Sequence, residues 1–218
     1  MRRHDLLRVV PASWEAMLDR SPGLCELPLV RDWARRRWPV IVRRRMPGDT
    51  PGDLLAALPL PPEQGKRRIA FSFPAGTDWA SIPPVLLRDA ARTAPEAWQP
   101  VIAALVALGE ATGTPPRVFG ALLWQHLTGR TYLTSRSDLD LLWPGVDESR
   151  AQTLVAGLLR LDPDSPVRLD GEVELPDGSA CNWRELAASG DGRTVLLKSM
   201  DGVEARARAE LFQAGASP

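Results

Sequence analysis

The chain has 218 residues, enough for one large domain or two small ones with a real core. Hydrophobic residues make up 44% and charged residues 25%, ordinary values for a globular protein. Lys plus Arg and Asp plus Glu both number 27, so net charge selects no partner, and no nucleic-acid reader motif is present.

Pro clusters at Pro59–Pro62, Pro83–Pro84 and Pro115–Pro116 interrupt any helix and divide the chain into blocks. In the first block, Ala12 to Leu18 reads as a short helix. Val40 to Arg45 and Arg68 to Phe73 read as strands, being β-branched or aromatic between turn signals at Gly48-Asp49 and Gly65. In the second block, Val85 to Arg92 is expected to be helical. Pro95 suits the first turn of a further helix running through Val101 to Leu108 and ended by Gly109 and Gly113. That helix is apolar nearly all round, which predicts burial. Val118 to Gly129 reads as a strand end or tight turn at Gly120, then a helix stopped by Gly129. Thr131 to Trp143 reads as extended, and Asp147 as the cap of a helix through Leu161. Val167 to Leu175 is strand-like but interrupted at Asp170-Gly171, a strong turn signal. Trp183 to Ala188 predicts a short helix, Thr194 to Lys198 a strand, and Asp201 onward a final helix. This order predicts an α+β or α/β fold with a small, mostly mixed sheet flanked by helices. Two subdomains are expected, a basic N-terminal α/β one over 1–80 and a second over 81–218, with substrate in the cleft between them.

Charge is unevenly spread. Residues 1–45 hold eleven Arg against five acids, and residues 138–177 hold ten acids against three Arg. A basic front suits an anionic substrate and an acidic back suits a metal ion, although solvated faces produce the same pattern. Cys25 and Cys181 show neither metal spacing nor a framework of bridges, which fits a reducing compartment. The N-terminus lacks the apolar core of a signal peptide, and no stretch approaches the roughly 20 apolar residues of a membrane span. A cytoplasmic protein with no membrane partner is expected.

The informative stretch is Thr134-Ser-Arg-Ser-Asp-Leu-Asp-Leu-Leu-Trp143. On a strand, residues two apart share a face, which would project Asp138 and Asp140 together, their Cα atoms roughly 7 Å apart. Leu139 and Leu141 would face the core. Two carboxylates so close repel each other, and a divalent cation such as Mg²⁺ or Mn²⁺ removes that cost while completing its shell with water and substrate phosphates. Asp138 and Asp140 are thus the candidate metal ligands and catalytic groups.

Gly120 opening a helix, followed by Ser137-Asp-Leu-Asp140, resembles the polymerase-β-type nucleotidyltransferase signature, which pairs a Gly-Ser turn and helix with an Asp-x-Asp strand. That resemblance implies a third catalytic carboxylate from a later strand, for which Asp170, Glu172 and Glu174 are the candidates, and a hairpin at Asp170-Gly171 would favour Glu172. The chain departs from it in having Ala121 after Gly120, so the turn lacks a hydroxyl that Ser135 or Ser137 would have to supply. A second resemblance covers nearly the whole chain. Arg3-His-Asp-Leu-Leu-Arg8, Ser135-Arg-Ser-Asp-Leu-Asp-Leu-Leu142, Arg168-Leu-Asp-Gly-Glu172 and Asn182-Trp-Arg-Glu-Leu186 are similar to the phosphoribosyl-dephospho-CoA transferases of malonate decarboxylase, also called holo-[acyl-carrier-protein] synthases. That resemblance implies transfer of phosphoribosyl-dephospho-CoA from triphosphoribosyl-dephospho-CoA to a serine of the apo acyl-carrier protein, with pyrophosphate leaving. A nucleotidyltransferase acting on RNA or a small molecule would use the same aspartates. A binding module that keeps the fold without the chemistry is the reading from another class.

The remaining candidates each have a bland alternative. Gly120, Ser135, Arg136, Ser137 and Lys198 are the expected substrate-binding residues. Arg136 can grip a phosphate or pair with the acids, and Lys198 can reach a phosphate or snorkel at the surface. Arg43, Arg44, Arg45, Lys66 and Arg67 would receive the triphosphate or an acidic carrier protein, or simply protect a sheet edge. His126 reads as a core residue in an apolar helix, and His4 belongs to the family-like start motif.

Overall fold

The computed structural model describes residues 1–188, 190 and 193–213. The chain separates into two units, Met1–Pro84 and Val85–Pro218. The first holds strands β1 (Leu6–Val9), β2 (Val40–Val42), β3 (Leu54–Pro59), β4 (Arg68–Phe73) and β5 (Trp79–Ile82), with helices α1 (Pro11–Asp19), α2 (Pro22–Cys25) and α3 (Pro28–Arg31). Pro opens each of these helices, where its missing N–H costs nothing and its φ is already helical. The strands form one antiparallel sheet in the order β4-β3-β2-β1-β5. Trp14 and Trp33 anchor the core beside it. Their buried indole N–H groups donate to the carbonyls of Val30 and Pro39, both at 2.9 Å, and Trp14 meets Phe71 edge-on at 5.2 Å.

The second unit holds α4 (Leu87–Ala90), α5 (Gln99–Thr112), β6 (Arg117–Val118), α6 (Gly120–Thr128), β7 (Leu139–Trp143), α7 (Glu148–Leu161), β8 (Leu169–Glu174), β9 (Ala180–Asn182), α8 (Trp183–Ala188), β10 (Thr194–Lys198) and β11 (Val203–Ala207). Its strands form a mixed sheet in the order β11-β10-β9-β8-β7-β6. β7 and β8 are parallel and joined through α7, as a parallel pair requires, while every other pair is antiparallel. Asp147 caps α7 by accepting a hydrogen bond from the Arg150 N–H at 2.9 Å. Helix α5 packs on α7, α7 on α8, and α8 on β8, β9 and β10. The molecule is therefore α+β, with an antiparallel sheet in the first unit and a mixed sheet in the second.

Alternation sets the two faces of this second sheet. Leu139, Leu141, Trp143, Leu169, Val173, Cys181, Val195 and Leu197 are buried on one of them. Each buried Leu or Val contributes about 1.5–3 kcal/mol, so a one-residue slip of β7 would forfeit several kcal/mol. This burial is what turns Asp140 to the other face.

Several local expectations are corrected. Strand β7 starts at Leu139, not Thr131, because Ser137 Oγ accepts a hydrogen bond from the Thr134 N–H and closes a turn before it. Asp138 thus lies one residue ahead of the strand. β8 runs unbroken through Asp170-Gly171. Helix α5 starts at Gln99 and contains Gly109, against which Pro115 and Pro116 pack. It buries one side only, with Ala103 and Ala107 exposed. The segment after Asp201 is strand β11, paired with β10, followed by one 3₁₀ turn rather than an α-helix.

Candidate active site

Cα partners in a sheet point their side chains to the same face. Asp140 is the partner of Asp170, Leu142 of Glu172, Glu172 of Asn182, Glu174 of Ala180, and Ala180 of Lys198. Asp140, Asp170, Glu172, Glu174, Asn182 and Lys198 therefore share one face. Neighbouring strands lie about 4.8 Å apart, which puts the Asp140 and Asp170 carboxyl groups side by side. Arg117 joins this face from β6 as the partner of Leu142.

Asp138 sits at the entrance of β7, and Arg168 sits at the entrance of β8. Arg168 Nη1 donates to Asp138 Oδ2 at 3.3 Å, while the Leu139 N–H donates to the Arg168 carbonyl at 3.0 Å. The pair is exposed on the Arg168 side, so its strength is modest and salt-sensitive. It keeps a cation beside the acidic group without committing it.

Asp170 Oδ1 accepts two hydrogen bonds, from the Gly171 N–H at 2.9 Å and from Asn182 Nδ2 at 2.8 Å. Next to it, Arg184 grips both Asp162 oxygens at 2.6 Å, donates to the Leu169 carbonyl at 3.0 Å and stacks over the Trp183 ring at 4.4 Å. The hydrogen bonds to Asp162 raise the Arg184 pKa, with the charges of Asp170 and Asp138 adding to the effect. The Arg184 guanidinium thus lies within electrostatic reach of Asp170 and Asp138, while its charge is met chiefly by Asp162.

Gly120 opens α6 with φ of +62°. A Cβ placed there would lie 1.8 Å from Asp140 Oδ2, so the missing side chain is what admits the carboxylate. The Phe119 N–H donates to the Asp140 carbonyl at 3.1 Å and ties the start of α6 to β7. The first turn of a helix carries partial positive charge, a setting that favours the Asp140 carboxylate and an incoming phosphate alike.

The other sequence candidates fall into place unequally. Glu172 is buried and accepts a hydrogen bond from Lys198 Nζ at 2.9 Å, so these two neutralise each other. Glu174 is buried further along the same strand. Ser135 and Arg136 are exposed in the turn before β7, and Ser137 spends its hydroxyl closing it. Arg43 forms a half-buried double contact with Asp49, at 2.7 and 2.6 Å, at the start of β3, whereas Lys66 and Arg67 lie at its end. The Arg43 hydrogen bond holds the Asp49 carboxyl down at about 2. His126 is half-buried on α6. Burial pushes the Cys181 thiol up to about 12, which removes it as a nucleophile. Sequence reasoning missed Asn182 and Arg168 as site residues. The signal for Asn182 was its place directly before a helical segment, the position of an N-cap.

Among the described residues no group of three or more His, Cys, Asp or Glu side chains could hold a metal ion by itself. The donors that do stand together are carboxylate oxygens, hard ligands suited to Mg²⁺ or Mn²⁺. Mg²⁺ is ordinarily held by one or two carboxylates and takes its remaining ligands from water and substrate phosphates, so Asp138 and Asp140 fit such an ion.

Fold and candidate site together define an α+β protein with carboxylates gathered on one face of a mixed sheet. The chain belongs to the phosphoribosyl-dephospho-CoA transferase family. Residues 2–84 match the model of the phosphoribosyl-dephospho-CoA transferase MdcG N-terminal domain, and residues 86–209 match that of the C-terminal domain. The chain is similar to the phosphoribosyl-dephospho-CoA transferase of Bradyrhizobium diazoefficiens, with 40% identity over 201 residues, 92% of this chain and 88% of that protein. It is 38% identical over 201 residues to the protein of that name from Xanthomonas euvesicatoria pv. vesicatoria, covering 92% of this chain and 91% of that protein. Against that of Xanthomonas axonopodis pv. citri it is 36% identical over 203 residues, or 93% and 92% of the two chains. No solved structure matches the chain. Among the described residues no helix is long and apolar enough to cross a membrane.

Proposed function

We propose that the protein transfers the phosphoribosyl-dephospho-CoA group from triphosphoribosyl-dephospho-CoA to a serine of the apo acyl-carrier protein of malonate decarboxylase, releasing pyrophosphate. One observation carries the reading: in a chain of this transferase family, Asp140 and Asp170 stand in register on adjacent parallel strands, with Asp138 at their entrance. The acceptor is supported by the motif blocks around Arg3–Arg8, Ser135–Leu142, Arg168–Glu172 and Asn182–Leu186. The second unit is read as a polymerase-β-type nucleotidyltransferase domain, with Gly120 and the first turn of α6 in the place of its Gly-Ser turn.

In this mechanism Asp138 and Asp140 would hold Mg²⁺ or Mn²⁺. When bound, the ion would supply neutralisation of charge on the triphosphate and on the departing pyrophosphate. The first turn of α6 orients the phosphates through its unpaired N–H groups. Arg168 is released from Asp138 to meet phosphate oxygen, and Arg117 stands ready on the same face. Asp170 accepts the proton of the serine hydroxyl as its oxygen attacks the α-phosphorus. The bond from that phosphorus to the oxygen bridging the β-phosphate breaks, and a phosphodiester forms. Glu172 and Lys198 neutralise each other behind Asp170 and stay out of the chemistry.

The test is the intact mass of the apo carrier protein after incubation with this protein, Mg²⁺ and triphosphoribosyl-dephospho-CoA. The expected result is a gain equal to the transferred group, abolished by Asp138→Asn and by Asp140→Asn. No gain with the folded wild-type protein overturns the acceptor assignment. An undiminished gain with Asp140→Asn overturns the site.

A further inference from the structure

We infer that Asn182 is a positioning residue: its side-chain amide fixes the Asp170 carboxylate for proton transfer while also capping helix α8. The inference rests on the role given to Asp170 above. Asn182 ends β9 and lies opposite Glu172 in register, from where it reaches diagonally back to Asp170. Its Oδ1 accepts a hydrogen bond from the Arg184 N–H at 2.8 Å. That backbone group can only donate, so the amide oxygen must face it and the amide nitrogen must face Asp170. The orientation of Asn182 is thereby locked by the chain itself.

The consequence for Asp170 is specific. Its Oδ1 is held by two donors, Asn182 Nδ2 and the Gly171 N–H, which leaves Oδ2 without a donor among the described residues. A carboxylate so held presents one oxygen to the reaction in a fixed rotamer. Such preorganisation is what separates a productive group from one that is merely present. The capping bond and the carboxylate bond use opposite ends of one side chain, so substitutions can remove one without the other.

Asn182→Ser and Asn182→Asp both keep an oxygen able to cap α8. Neither offers an amide donor to Asp170, and the second sets a like charge beside it. Asn182→Ala removes both contacts. The expected outcome is a kcat lowered about 10–100-fold in all three, with KM for the triphosphate substrate within about twofold. Mg²⁺ affinity measured by calorimetry on the substrate-free protein is expected to stay within about twofold in Asn182→Ser, because Asn182 touches Asp170 and neither of the two proposed ligands, Asp138 and Asp140. The melting midpoint should drop by about 2–4 °C in Asn182→Ala alone, from the lost cap. Wild-type kcat in Asn182→Ser would make the residue a cap only and overturn the inference. Asp170→Asn is assayed beside these variants. If it retains full transfer, the role of Asp170 is wrong; if it is dead while Asn182→Ser is fully active, only the inference about Asn182 fails.

Discussion

A single absent side chain decides whether the acidic pair can exist. Gly120 takes a left-handed backbone conformation at the start of α6, and Asp140 Oδ2 occupies the space where its Cβ would be. Gly120→Ala meets two penalties. The left-handed conformation costs an alanine about 1–2 kcal/mol. The new methyl group also forces Asp140 out of its rotamer or α6 away from β7. A displacement near 1 Å at a reacting group costs on the order of 100-fold in rate. Gly120→Ala should therefore lose about 100-fold in kcat while its melting midpoint falls by only about 2–8 °C. The transfer assay and a thermal melt read these separately, and near-native turnover would show that Asp140 does not need that place. Asp138 is less constrained, since it lies outside the strand and is held by an exposed ion pair.

At the scale of elements, the site depends on how closely β7 and β8 approach. A Cβ on Gly171 would lie 2.4 Å from the Leu141 carbonyl oxygen, a backbone atom that cannot step aside. Gly171→Ala must push the two strands apart, and these are the strands that carry Asp140 and Asp170. Overpacking of this kind costs about 1–3 kcal/mol, so the urea midpoint should fall and activity with it. Reducing the bulk at Leu141 would not rescue the variant, because the clash is with backbone. An unchanged urea midpoint would contradict this geometry. The same glycine explains a misreading. Asp-Gly is a hairpin signal taken by itself, yet here the glycine serves a close strand approach that only the pairing partner reveals. Helices α6 and α7 were legible because the glycine stop at Gly129 and the cap at Asp147 are local signals. β11 was not, since Glu204-Ala-Arg-Ala-Arg-Ala209 is rich in helix formers and only pairing with β10 overrides that propensity. β3, Leu- and Ala-rich and buried through most of its length, shows no alternation to mark it. For the site, Asp138, Asp140 and Asp170 could be picked out along the chain. The proposed preference for Asp170 over Glu172 could not, because it rests on register across strands and on the Lys198 partner of Glu172.

At the scale of the molecule, the two family matches meet where the two compact units meet, at residues 84–86. Among the described residues every strand of each sheet comes from its own unit, so none of their hydrogen-bonded ladders is broken by separating the two. The charges divide in the same way, with the Arg-rich residues 1–45 in the first unit and the acidic residues 138–177 in the second. The first unit has a core of its own, in which Trp14, Trp33, Leu58 and Phe73 are nearly or fully buried and both indoles have found hydrogen-bond partners. A domain of this length is small but within the range that folds alone. Met1–Pro84 expressed by itself should therefore give a single cooperative urea transition with an m-value of about 1 kcal/mol/M, and a near-ultraviolet circular dichroism signal from its packed tryptophans. Within that unit, Asp49→Asn should be less stable than wild type at neutral pH, and the gap should close on acidification. The Arg43 bond lowers the folded-state pKa of Asp49 from 3.8 to about 2, so its contribution is present above 3.8 and is lost as pH falls through 2. A broad, non-cooperative unfolding curve for the isolated segment would mean that its core is completed only in the whole chain.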